Sequence, residues 1–293
     1  MNRIDKKTAL KLFKKSSLHD LGEIADSIRK KLHPEGIITF IVDRNINYTN
    51  VCINKCRFCA FYRDVNSPDA YLLTNDEIFK KIDETVSLGG TQILLKGGLH
   101  PNLGIDYYID LLKSIKERYD INVHGFSPPE IYYLSRRHDL TVRETLITLK
   151  RAGLDSIPGG GAEILSDRVR EVISPKKIKT AEWLKVMEEA HGIGMRTTAT
   201  MMFGSVEEPK DIIEHLDVIR GLQDRTGGFT AFIPWSFQPG NTELSKKSRV
   251  KSSEFRVKSQ KESKLQTLNS KLQPATAVDY LREIGRASCR ERV

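Results

Sequence analysis

From about residue 36 to residue 237 the chain alternates short β-branched apolar runs with amphipathic helical patterns, and Gly, Pro or polar residues mark the joints. A strand repeatedly followed by a helix must return to the same end of the sheet before the next strand begins, so the strands run parallel. The fold class predicted is α/β, a (β/α)8 TIM-barrel type. Strands are expected at 37–42, 92–95, 121–126, 154–157, 196–202 and 229–237. The helices between them include Ile105–Arg118, Ala181–His191 and Asp211–Gln223, and two more that open on the capping boxes Thr74/Glu77 and Thr141/Glu144. A leading helix carries Leu21, Ile24, Ala25, Ile28 and Leu32 on one face, placed to close the bottom of a barrel.

A closed barrel needs two more strands and typically about 250 residues. Here the pattern stops after the sixth strand, so a barrel truncated at that point is expected. Residues 245–273 repeat Arg-Val-Lys-Ser at 249 and 256 and Ser-Lys-Leu-Gln at 263 and 270, and read as a low-complexity insertion. The division expected is an N-terminal helical segment at 1–35, a βα core at 36–244, the insertion at 245–273 and a last segment at 274–293. The decapeptide from Ile284 onward reads as the translation of a sequencing adapter.

Charge enters the argument at this tail. The net charge is +9, but residues 245–293 hold 13 Lys+Arg against 5 Asp+Glu, which leaves +1 for everything before them. Basic charge outside the patterned region does not draw a nucleic-acid footprint on a folded face, so no nucleic-acid partner is expected. Nor is a membrane partner, because no stretch approaches roughly 20 uninterrupted apolar residues. The N-terminus lacks the apolar core of a secretory signal, and a cytoplasmic location is expected.

The chemistry gathers on Cys52-Ile53-Asn54-Lys55-Cys56-Arg57-Phe58-Cys59, three thiols on the loop after the first strand. Three soft ligands on one loop suit three irons of a [4Fe–4S] cluster and leave the fourth iron open as a reaction site. Zinc is the alternative, but a structural zinc site takes four protein ligands, and no fourth Cys or nearby His lies in the loop. Gly97-Gly98 ends the second strand, where a barrel places its working face. Gly159-Gly160-Gly161-Ala162-Glu163 follows the fourth strand, and a carboxylate after a glycine run can accept hydrogen bonds from a ribose diol. A phosphate cradle would also use such glycines, but the acidic end argues against it.

This constellation resembles the radical SAM superfamily. The resemblance implies a [4Fe–4S] cluster on Cys52, Cys56 and Cys59, with S-adenosyl-L-methionine chelated at the open iron. Phe58 would lie beside the adenine or else pack in the core, Gly97 and Gly98 would meet the methionyl amino group, Glu163 would hold the ribose, and Ser127 would join this cofactor-binding set. From about Asn45 to Thr242 the chain is also similar to the cyclic dehypoxanthinyl futalosine synthase family of the futalosine route to menaquinone. Arg44–Asn50, Cys59–Arg63, Phe126–Glu130, Thr197–Gly204 and Phe232–Thr242 carry this likeness. It implies a small-molecule substrate, dehypoxanthine futalosine, whose ribose C4′ loses hydrogen before the carbon closes onto the benzoate, and a reductant such as flavodoxin or ferredoxin. Glu130 and His100 are candidate bases. Tyr62, Trp235 and Gln238 are candidate substrate contacts, with Trp235 also readable as core. The rival readings are aminofutalosine synthase or a related radical SAM enzyme, a non-catalytic metal module, and an inactive fragment.

Overall fold

The computed structural model describes residues 4–245. Six strands form one parallel sheet in sequential order: β1 (Asp43–Asn47), β2 (Gln92–Lys96), β3 (Asn122–Gly125), β4 (Ser156–Ile157), β5 (Arg196–Phe203) and β6 (Phe229–Ser236). Helix α3 (Asn75–Ser87) joins the first two strands and α4 (Ile105–Arg118) the next two. Helices α5 (Pro128–Arg137) and α6 (Val142–Ala152) lead to β4, α7 (Asp167–Ile173) and α8 (Thr180–Gly192) to β5, and α9 (Pro209–Thr226) to β6. The sheet is a part-barrel, and all of its strand C-terminal ends open on one face. The segments expected at 245–273 and 274–293 lie, apart from Ser245, outside the described residues.

Local chemistry explains the helices. Thr74 and Thr141 each accept from the backbone N–H three residues on, and Glu77 and Glu144 return the bond to the cap. Gly153, with φ at +121°, ends α6, and the strand that follows packs Leu154 and Ile157 into the core. That core joins Ile46, Ile93, Leu95 and Val123 of the sheet to Ile78, Leu111, Leu146 and Trp183 of the helices. A second cluster lies toward the working face, with Ile164, Val169, Met201, Phe203, Ile212 and Phe237.

The first strand departs from expectation. Residues 37–42 are not strand, and Ile38 and Phe40 are 82% and 88% exposed. The reason is register: β2 starts at Gln92, which pairs with Asp43, so among the described residues no strand lies beside the apolar run. At the N-terminus two helices stand where one was expected, α1 (Lys6–Lys15) and α2 (Leu18–Leu32). α1 packs on α9, with Lys6 2.8 Å from Asp217 and Arg220 donating to the Ile4 carbonyl. Among the described residues no helix is long and apolar enough to cross a membrane.

Three interior histidines are held neutral. Burial pushes His124 and His191 down to about 4 and His215 to about 3. Since an unfolded imidazole titrates near 6.5, the unfolded chain binds protons that the folded chain refuses as pH falls from about 6.5 to about 4, and stability falls with it. Thermal melts should therefore give a lower Tm at pH 5 than at pH 7. A Tm independent of pH across this window would contradict the burial of these rings.

Candidate active site

The cysteine loop grows directly out of β1. Tyr48 N–H donates to the Lys96 carbonyl and Gly98 N–H to Thr49, so the β1–β2 ladder continues to the edge of the loop. Asn50 and Cys52 then exchange bonds with Arg63, closing the base of a loop that carries all three thiols. Its far side docks on α7: Arg57 N–H donates to the Ile173 carbonyl at 2.8 Å, and the Arg57 guanidinium donates to Val172. Lys55, at φ +45°, makes the reversal between the first two cysteines.

The Gly97-Gly98 pair is required by this loop itself. A Cβ on Gly98 would lie 2.1 Å from the Val51 carbonyl oxygen and 2.7 Å from Cys52 Cβ, and one on Gly97 would meet the Tyr48 ring at 2.6 Å. The end of β2 is thus pressed against the cysteine-bearing backbone.

Two thiols accept backbone hydrogen bonds, Cys52 Sγ from Leu99 and Cys59 Sγ from Phe61, each at 3.4 Å. Such bonds tune a thiolate that ligates iron. Cys56 is buried, and burial pushes its thiol up to about 12, against the pull of Lys177. A bound metal would reverse that, because a coordinating thiol is deprotonated outright. Among the described residues no three His, Cys, Asp or Glu side chains stand ready as a metal site. The donor chemistry nevertheless fits an iron–sulfur cluster: three thiols on one closed loop, N–H donors on two of them and a cation beside the third.

That cation is Lys177, which the sequence reading missed. Its ammonium lies 3.1 Å from Glu163 Oε1 and 5.1 Å from the centre of the Phe58 ring. Burial opposes its charge, but Cys56 and Glu163 outweigh this and hold its pKa above the usual lysine range. Arg170, also missed, stands 3.9 Å from Glu163 Oε2 and is buried with it. Glu163 itself sits at φ +39°, and its Oε2 is buried without a hydrogen-bond partner.

The unusual backbone at Glu163 is fixed from several elements. Thr198 and Thr200 hold Gly159, Arg170 donates to the carbonyls of Gly161 and Ala162, and His215 Nδ1 accepts from Leu165. Met202 N–H donates to the Glu163 carbonyl. A buried carboxylate oxygen without a hydrogen-bond partner, on a loop this constrained, is a preformed acceptor for a donor brought by a ligand.

The other sequence-predicted residues divide. Trp235, read toward the core, is 36% exposed at the end of β6, and its ring centre lies 6.4 Å from that of Phe58. Cys56, Phe58, Glu163 and Trp235 therefore surround one place, with Lys177 among them. Gln238 is exposed and donates to Ser236, and Tyr62 is half-buried on the cysteine loop. Ser127 gives both its N–H and its hydroxyl to Glu130, at 2.7 and 2.6 Å. Burial raises the Glu130 pKa even though these donors, the Tyr48 hydroxyl and the Gly97 N–H pull it down. His100 Nδ1 accepts from Asn102 N–H at 3.1 Å, so the neutral ring carries its proton on Nε2 and is set to donate.

Comparison with known proteins agrees with this geometry. The Radical SAM superfamily model matches residues 46–219. The cyclic dehypoxanthine futalosine synthase of Halalkalibacterium halodurans is 45% identical over 249 residues, 85% of this chain and 67% of that protein. The 5-amino-6-(D-ribitylamino)uracil–L-tyrosine 4-hydroxyphenyl transferase of Methanopyrus kandleri is 44% identical over 241 residues, 77% of this chain and 65% of that one. The chain thus spans about two thirds of the length of these relatives. Among solved structures, methylornithine synthase superposes with a TM-score of 0.66 over 93% of this chain and 75% of its own, at 15% identity, which shows the shared fold. The chain belongs to the radical SAM superfamily, whose cofactors are a [4Fe–4S] cluster and S-adenosyl-L-methionine.

Gly98→Ala should damage the loop and with it metal loading, since its new methyl meets the Val51 backbone and the Cys52 Cβ, neither of which can swing aside. The expected cost is on the order of 3 kcal/mol, or roughly 10 °C in Tm. Iron bound after anaerobic reconstitution should fall in parallel. Gly22→Ala in α2, where a Cβ meets nothing within 4 Å, should leave iron loading unchanged. Equal iron content in the two variants would refute the role given to Gly98.

Proposed function

We propose that this chain is the catalytic core of a radical SAM cyclase that converts dehypoxanthine futalosine to its cyclic form in menaquinone biosynthesis, an oxidoreductase reaction that forms a carbon–carbon bond. When bound, the cluster and S-adenosyl-L-methionine would supply a 5′-deoxyadenosyl radical to which the ribose C4′ gives up hydrogen; that carbon closes onto the benzoate ring, and the ring regains aromaticity by losing one proton to a base and one electron to an oxidised iron–sulfur centre. A reductant such as flavodoxin or ferredoxin would supply the electron. The observation that carries the reading is the open pairing of Trp235 with Phe58, within the Pro234–Pro239 phrase that resembles the cyclases.

In this reading Cys52, Cys56 and Cys59 hold the cluster, and Gly97-Gly98, Phe58 and Glu163 hold the nucleoside and methionyl parts of the second cofactor. Glu163 Oε2, which has no hydrogen-bond partner within the protein, accepts from a ribose hydroxyl while Lys177 occupies Oε1. Trp235 covers the aryl ring of the substrate, and Tyr62 and Gln238 contact its polar edge. His100 serves as a hydrogen-bond donor to the substrate, because its Nδ1 is engaged and its proton sits on Nε2.

A second reading is supported by the 44% identity to the tyrosine 4-hydroxyphenyl transferase. An anaerobic assay separates the two. The reconstituted, dithionite-reduced protein receives S-adenosylmethionine with dehypoxanthine futalosine in one arm, and with L-tyrosine and 5-amino-6-(D-ribitylamino)uracil in the other. The cyclase reading expects substrate-dependent 5′-deoxyadenosine and a cyclised product in the first arm alone. Turnover confined to the second arm would replace it with the transferase.

A further inference from the structure

Glu130 is 2% exposed, and four donors fill its carboxylate. Oε1 accepts from the Tyr48 hydroxyl at 2.7 Å and from Gly97 N–H at 3.2 Å. Oε2 accepts from Ser127 N–H at 2.7 Å and from the Ser127 hydroxyl at 2.6 Å. Two lone pairs on each oxygen are thereby used, so a substrate proton finds no acceptor on this group without breaking a bond already made. The donors come from three places: the end of β1, the end of β2 and the start of α5.

The backbone explains why a side chain is needed there. Phe126 N–H makes the last rung of the β2–β3 ladder, to the Leu95 carbonyl, and Phe126 then turns the chain away at φ +53°, a costly conformation for a bulky residue. The Gly97 N–H is left one step beyond the last β3 partner, and the Glu130 carboxylate takes that partner's place. Glu130 also fixes the Tyr48 ring against which Gly97 is packed.

We propose that Glu130 is a positioning residue that sets the Gly97-Gly98 backbone for S-adenosylmethionine and takes no proton from the substrate. The proposal rests on the reading of Gly97 and Gly98 as contacts of that cofactor. It removes Glu130 from the candidate bases and gives a defined role to Tyr48, which the sequence reading left out of the site.

The test uses reconstituted protein with the substitutions Glu130→Gln, Tyr48→Phe and Glu144→Gln. The last removes an equivalent capping carboxylate, that of α6, whose hydrogen-bond partner is Thr141. The readouts are Tm, the Kd of S-adenosylmethionine by equilibrium dialysis, and the product formed per 5′-deoxyadenosine. Glu130→Gln is expected to weaken cofactor binding about tenfold, the scale of one lost charge-assisted hydrogen bond, and to leave product per 5′-deoxyadenosine at the parent value. Tyr48→Phe should shift the same Kd by about threefold, and it carries the test alone if Glu130→Gln does not fold. Glu144→Gln should lower Tm and leave the Kd unchanged. An unchanged Kd in both site variants overturns the proposal, and a collapse of product per 5′-deoxyadenosine would make Glu130 the base instead. If the parent protein binds no S-adenosylmethionine, the reading of Gly97 and Gly98 fails first, and the positioning role falls with it.

Discussion

Because all six strands run parallel in sequential order, every strand ends on the same face, and the residues with chemistry to offer are brought together there. The sheet does not allow them to be scattered. The Cys52–Cys59 loop leaves β1, Gly97-Gly98 ends β2, Ser127 and Glu130 follow β3, Glu163 follows β4 and Trp235 ends β6. Sequence separations of up to 183 residues between Cys52 and Trp235 collapse into one mouth. The helices make this possible by returning the chain to the opposite end of the sheet each time.

Two buried carboxylates then do different work in that mouth. Glu130 is saturated with donors and ties the ends of β1 and β2 to the start of α5. Glu163 keeps one oxygen without a hydrogen-bond partner, with Arg170 3.9 Å away, and is gripped through the other by Lys177. A satisfied buried carboxylate makes rigid structure, whereas one with an open acceptor is a place for a ligand, and the sequence marks the difference only through the Ser127-x-x-Glu130 capping box and the glycine run before Glu163. The same contrast applies to the cations: Arg170 spends its donors on backbone carbonyls, while Lys177 faces Cys56, Glu163 and Phe58.

Much of the fold was legible because its signals are local. The α4 boundaries and the two threonine-capped helices follow from periodicity and capping chemistry within a few residues. The cysteine spacing, too, is a local fact, and so are the glycine pairs. What failed depended on distant partners. The Ile37–Val42 run has the composition of a strand but no neighbour in register, and α5 hid behind Ser-Pro-Pro-Glu, where the prolines open a helix. Glu130 was a plausible base until Tyr48 and Gly97 were seen to occupy it. Lys177 lies in a Lys-rich turn with nothing to distinguish it from Lys176 or Lys179 until the fold sets it against Glu163.

The account stands most directly on the cluster and its open iron. Electron paramagnetic resonance of the dithionite-reduced, reconstituted protein, alongside iron analysis, reads both. The account predicts about four irons per chain and a reduced-cluster signal that changes when S-adenosylmethionine is added. Zinc in place of iron, or a signal indifferent to S-adenosylmethionine, would contradict it.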